Sequence, residues 1–286
     1  MFQDEHRPYE PVDLAWPVLD ESALLLLRGL PFWTHALQAE EDAGPMISAC
    51  AALEPDTTVR RALELQAFEE ARHARIIKHM IVLYRLPLGD IRVEIPADVL
   101  EAFIDFGFEE CLDSFGAFGL FKLAREHLVM PAALFDIFDR VMQEEATHIV
   151  FFLNWFAYRQ ANAGAIPWAL RHPKALRHYV RALRKLAGLA FSDDTVEGKD
   201  FIISGAEAFV DNLKPAAVLG ACLEENTRRL AGFDRRLLIP RLAPRLARLA
   251  LGVLSRLPRR RGAGPDRAAA APSVGARDRR GQADRF

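Results

Sequence analysis

Phe68-Glu69-Glu70-Ala71-Arg72-His73 is the stretch on which the reading of this chain turns, and Gln143-Glu144-Glu145-Ala146-Thr147-His148 repeats its pattern. In each, a glutamate precedes a histidine by three residues, so on an α-helix the two side chains leave one face about one turn apart. A carboxylate and an imidazole so placed can grip one metal ion. Working outward, Glu40-Glu41 lies 30 residues before Glu70, and Glu109-Glu110 lies 35 before Glu145. Each acidic pair sits inside its own long apolar segment.

Helical periodicity assigns faces to these residues. Over Pro31–Leu53, Glu40 shares a stripe with Trp33, Leu37, Ile47 and Ala51, whereas Glu41 falls among polar neighbours. Glu40 is the inward candidate and Glu41 the alternative. Gly44-Pro45 is predicted to interrupt and kink this helix. Over Thr58–Leu86 the inward stripe is Leu63, Ala67, Glu70, His73 and Ile77, which leaves Glu69 on the shoulder and Arg72 free to pair with an interior carboxylate. Pro87–Pro96 reads as a long connection with a short extended piece at Ile91–Ile95. Ala97–His127 is apolar on most of its circumference. Glu110 groups with Phe103, Phe106 and Phe121, while Glu101, Asp105 and its alternative Glu109 form a polar edge. Gly107, Gly116 and Gly119 each cost about 1 kcal/mol relative to Ala in a helix, which predicts close helix approach or room beside a site. Pro131 opens a fourth helix running to Ala161, with Phe138, Met142, Glu145, His148 and Phe152 inward.

Two helices giving one Glu each and two giving Glu-x-x-His make the side-chain set of ferritin-like di-iron or di-manganese carboxylate proteins. From about Pro31 to Ala161 the chain resembles that superfamily, including the order Glu, Glu-x-x-His, Glu, Glu-x-x-His. The resemblance implies an all-α fold built on a ferritin-like four-helix bundle. It implies a centre of two Fe ions, or Mn/Fe, with Glu70 and Glu145 at or near the bridging positions. Glu40 and Glu110 would be terminal ligands, and His73 and His148 would each bind one metal. It further implies O2 as co-substrate, an external electron donor, and a small organic substrate to be hydroxylated, N-oxygenated or desaturated. The other use of such a centre is iron handling or peroxide scavenging of the ferroxidase or rubrerythrin type. No Cys-x-x-Cys electron-transfer module is present to support that use. Independently of any resemblance, four carboxylates in an apolar interior require compensating cations.

The remaining chain divides by composition. Residues 1–30 are a lead-in with Pro8, Pro11 and Pro17 and no legible function. Residues 162–257 are predicted to add helices at Trp168–Phe191, Asp200–Leu213 and Pro215–Leu238, then a basic amphipathic segment, all packing on the bundle. Residues 258–286 are predicted to be a disordered basic tail, with nine arginines against three aspartates from Arg256 onward in a chain of net charge −2. The interleaved apolar residues make nucleic acid an unexpected partner. Cys50, Cys111 and Cys222 are far apart and odd in number, which fits a reduced, cytoplasmic setting. No signal-peptide h-region and no apolar run of membrane-spanning length appear. A monomer or homodimer is expected.

Overall fold

The structure is a computed structural model that describes residues 6–30, 32–127, 130–162, 175–184 and 214–256. Every regular element among them is helical: a 3₁₀ turn at Pro11–Asp13, then α1 (Glu21–Gly29), α2 (Trp33–Ala52), α3 (Thr57–Tyr84), α4 (Val99–Glu126) and α5 (Ala132–Asn162). A helical segment at 175–184 follows, then α6 (Pro215–Leu230) and α7 (Leu242–Leu254). The predicted Asp200–Leu213 helix and the 258–286 tail lie outside the described residues.

Side-chain caps fix where these helices begin. Asp20, Asp56 and Asp98 each accept a backbone N–H from the first turn of α1, α3 and α4, satisfying donors that the helix itself leaves open. At the far end of α3, Arg85 adopts the left-handed conformation (φ 53°) and Leu86 returns its N–H to the Ile81 carbonyl at 3.0 Å. The structure departs from expectation at three places. α2 runs through Gly44-Pro45 as one helix, with Gly44 turned toward α3, where its missing Cβ would meet the Ala71 nitrogen at 3.4 Å. Residues 91–95 form no strand, because the Gln38 amide takes both the N–H (3.0 Å) and the carbonyl (2.7 Å) of Arg92 and so replaces a partner strand. Helix α6 ends at Leu230 rather than Leu238. Asn154 of α5 then captures both the N–H (3.0 Å) and the carbonyl (2.9 Å) of Leu238, as Gln38 does for Arg92.

Helices α2 to α5 close a ring of contacts, with α2 against α3 and α4, and α5 against α3 and α4. α6 lies along α4 at short range. A Cβ on Gly119 would stand 2.7 Å from the Cys222 backbone, and one on Gly107 would collide with the Phe152 ring of α5. Two of the predicted helix-weakening glycines therefore serve close packing. Apolar side chains form two main clusters, one around Leu37, Ile77, Met80 and Leu134, the other around Ile47, Leu63, Phe103 and Phe152. Glu40, Glu70 and Glu145 fall between these clusters along α2, α3 and α5. All three cysteines are buried and free. None of the described helices is long and apolar enough to cross a membrane.

Candidate metal centre

The two Glu-Glu-x-x-His segments meet face to face at the middle of α3 and α5. His73 directs Nδ1 toward Glu145 (3.0 Å), Glu40 (3.5 Å) and Glu70 (3.6 Å). His148 directs Nδ1 toward Glu70 (3.1 Å) and Glu145 (3.4 Å). Each of Glu70 and Glu145 thus faces both imidazoles, whose ring centroids are 5.8 Å apart. Glu110 of α4 lines the same cavity as Glu40, Glu70 and Glu145, and Ser114 one turn later donates to it at 3.4 Å. All six sequence-predicted ligands are brought to one place. The alternatives are not: Glu41 pairs with Lys78 on the outer side of α3, and Glu109 does not line the cavity.

The residues beside the ligands have a role that helical periodicity did not show. Glu69 and Glu144, read as lying off the inward face, are buried, and each reaches across to the opposite segment. Glu144 bonds His73 Nε2 at 2.8 Å, and Glu69 bonds His148 Nε2 at 2.9 Å. Both glutamates are acidic despite burial, because the histidines they face hold their carboxyls below the usual range. An ionised carboxylate only accepts, so each Nε2 donates and each Nδ1 is left to the cluster.

Arg72, fully buried, extends this outer layer. It donates to Glu144 at 2.8 Å, lies 3.7 Å from Glu69 and packs over the Tyr9 ring at 4.0 Å. The predicted pairing of Arg72 with an interior carboxylate is therefore present. The lead-in, illegible from sequence, straps across the same layer. His6 Nδ1 contacts Glu69 at 2.6 Å, the Tyr9 hydroxyl donates to Glu144 at 3.1 Å, and the Arg7 carbonyl accepts from Arg72 at 2.8 Å.

Burial and charge set the protonation of the metal-free cluster. Burial pushes the Glu40 carboxyl up to about 8 against the pull of His73, and pushes Glu110 well above the usual carboxylate range, with Glu145 and Glu70 adding repulsion. Burial also opposes charge on Glu70, yet His148 and His73 outweigh it and hold Glu70 low. Both histidines are raised well above their ordinary value, because the carboxylates overcome desolvation. Protons thus occupy positions where cations are wanted. Among the described residues, six buried or half-buried glutamates face one arginine and the imidazoles of His6, His73 and His148, a balance that an apolar interior does not sustain unaided.

The donor set fits a cation. One atom from each of Glu40, Glu70, His73 and Glu145 lies within 4.8 Å of the others. Metal–ligand bonds of about 2.1 Å place ligands roughly 3–4 Å apart, so a small contraction closes the shell. His73 Nδ1 is buried and makes no aligned hydrogen bond to the carboxylates it faces, as an atom aimed at a shared cation would. The group can hold a metal ion.

A second acidic cluster lies away from this layer, where Glu101 and Asp105 face His178. Arg181 and Arg177 already pair with those carboxylates. No family model, curated protein or solved structure matches this chain.

Proposed function

We propose that the chain is a ferritin-like di-metal oxidoreductase that uses O2 to oxidise a small organic substrate. The observation that carries this is the crossed pair of Glu-Glu-x-x-His segments, in which two imidazoles present Nδ1 to two shared carboxylates beside an apolar cavity of about 230 Å³. Glu70 and Glu145 would be shared between two ions, Glu40 and His73 would complete one, and Glu110 and His148 the other. Carboxylate-rich sites with imidazole suit iron or manganese. When bound, reduced iron of this kind supplies the electrons that activate dioxygen.

The chain's own residues do the rest. Glu144 and Glu69 hold the imidazoles in the tautomer that presents Nδ1 and keep each ring in place. Arg72 offsets the charge of those two carboxylates, so the outer layer stays anionic enough to polarise the imidazoles without repelling itself. Phe106, Phe118 and Val141 wall the cavity and keep water from the carboxylate layer. The Ser114 hydroxyl steadies Glu110 on the side that opens toward the cavity.

Elemental analysis of protein purified from iron-supplemented cells tests the proposal. About two metals per chain are expected, and less than about 0.2 would overturn it. Assembly size separates enzyme from store: an enzyme is expected as a monomer or dimer, whereas a large hollow shell would favour iron handling.

A further inference from the structure

The cavity beside the carboxylates has a shape that selects its occupant. Its polar lining lies at one end, where Glu40, Glu70, Glu110 and Glu145 converge with Asp113 and Ser114. Beyond them every lining side chain is apolar, with no lysine, arginine or histidine among them. The lining runs from Glu145 back to Phe135 on α5 and from Glu110 on to Ala124 on α4. At 1.5 Å per residue these stretches span about 15–21 Å.

A cavity of about 230 Å³ open to water centres, drawn out over ~15 Å, is a bore longer than it is wide. Carbon atoms in contact sit about 4 Å apart, so such a bore admits an aliphatic chain lying lengthwise. Alanines make the bore. Ala36 lies one turn from Glu40 on α2, and Ala117 lies two turns from Glu110 on α4, at positions where larger side chains would close the space. An extended chain advances about 1.2 Å per bond, so ~15 Å holds about ten to twelve carbons.

We propose that the substrate is an elongated aliphatic molecule about ten carbons long, lying along the helices with the carbon to be oxidised next to Glu40 and Glu110. The far portion of the chain carries no charged group, because nothing there could pair with one. This rests on the di-metal reading above, which supplies the chemistry at the polar end.

Calorimetric titration of the metal-loaded protein with straight-chain alcohols of four to sixteen carbons provides the test, with metal content measured on the same samples. Affinity is expected to rise about fourfold per methylene and to level off at about ten to twelve carbons. Ala117→Leu places a side chain about 10 Å along the bore from Glu110 and should move the plateau to about seven carbons with metal content unchanged. Ala36→Leu acts from the facing helix, nearer the carboxylates, and should shorten it further; it serves as an independent probe if the first variant folds poorly. A flat dependence on chain length would overturn the assignment. So would a plateau that neither variant moves. Metal without chain binding defeats this inference alone. Chain binding without metal defeats the di-metal reading, and the substrate assignment with it.

Discussion

Two buried regions of this molecule are dense in charge, and they are built on opposite principles. Where α6 docks, Arg229 is fully buried, lying 2.6 Å from Asp139 and 2.9 Å from Glu225, and Arg228 bonds the same two carboxylates. Two guanidinium groups meet two carboxylates, and the Arg229 guanidinium also rests against the Phe118 ring at 5.3 Å. That network is balanced in charge. In the layer formed by Glu40, Glu69, Glu70, Glu110, Glu144 and Glu145, Arg72 is, among the described residues, the lone permanent cation placed against the carboxylates. Charge density alone does not mark a functional site; an uncompensated excess of one sign does.

The largest effect should come from removing a proposed ligand. Glu70→Ala or His148→Ala is expected to take metal content from about two per chain to near zero. Elemental analysis with a folded circular-dichroism spectrum would establish it. Glu69→Ala or Glu144→Ala should weaken metal affinity by about 10–100-fold without abolishing it, because each removes only the acceptor that orients a ligating imidazole. Equal loss at all four positions would erase the distinction between ligand and support.

The balanced region should respond in the other currency, stability. Arg229→Met leaves Glu225 and Asp139 without their buried partner and is expected to cost about 3–5 kcal/mol in denaturant unfolding. Metal content should stay at the level of the unaltered protein. If the variant instead lost its metal with little change in stability, the two regions would not be independent.

How far these two regions were legible from sequence follows from what helical spacing can encode. Glu40 against Glu41 was decidable, because α2 carries a clear stripe and the two residues fall on different sides of it. Glu69 falls on the shoulder, and Glu144 outside the inward stripe, because each lies about 100° around the helix from its neighbouring ligand candidate. In a ring of contacts, α3 faces both α2 and α5, and α5 faces both α3 and α4, so the buried arc is wider than one stripe. The strap residues His6 and Tyr9 were invisible for a different reason. Their partners, Glu69 and Glu144, are 63 and 135 residues away, and no local pattern announces them. On α4, apolar around most of its surface, periodicity separates Glu110 from Glu109 and decides little else. The glycines there spoke instead, through the close approaches of Gly107 to Phe152 and of Gly119 to Cys222.

A pH titration sharpens the comparison at a smaller scale. In metal-free protein the Glu40 carboxyl sits up to about 8, against about 4.3 when unfolded. The folded state therefore binds more protons between those values, and stability falls as pH rises through the interval. His73 and His148, raised well above their ordinary value, act in the same sense: their stabilisation is complete below about 6.5 and is lost as pH climbs through their folded values. Glu70, held low by both histidines, adds stability above about 4.3 that is lost only at lower pH, outside this window. Chelator-treated protein should thus melt at progressively lower temperature from pH 5 to pH 8. Metal loading should flatten the trend, because cations take the place of the protons. A chelated protein as stable at pH 8 as at pH 5 would mean that the carboxylate layer is already balanced without metal.

The smallest expected effect comes from the acidic cluster that merely looks like a site. Glu101 and Asp105 approach His178 closely enough to form a candidate metal group, with His178 Nδ1 at 2.7 Å from Asp105. Arg177 and Arg181 already contact both carboxylates from the 175–184 segment, so this cluster resembles the Arg229 network and not the glutamate layer. Glu101 and both arginines are well exposed, and pairs of that kind contribute about 0–1 kcal/mol. Glu101→Ala should therefore leave metal content unchanged and alter stability by less than about 0.5 kcal/mol. The same substitution tests whether balance, as opposed to the number of acidic groups, decides where metal goes: loss of even one metal per chain would place an ion among Glu101, Asp105 and His178 and break the rule that separates the two kinds of buried charge.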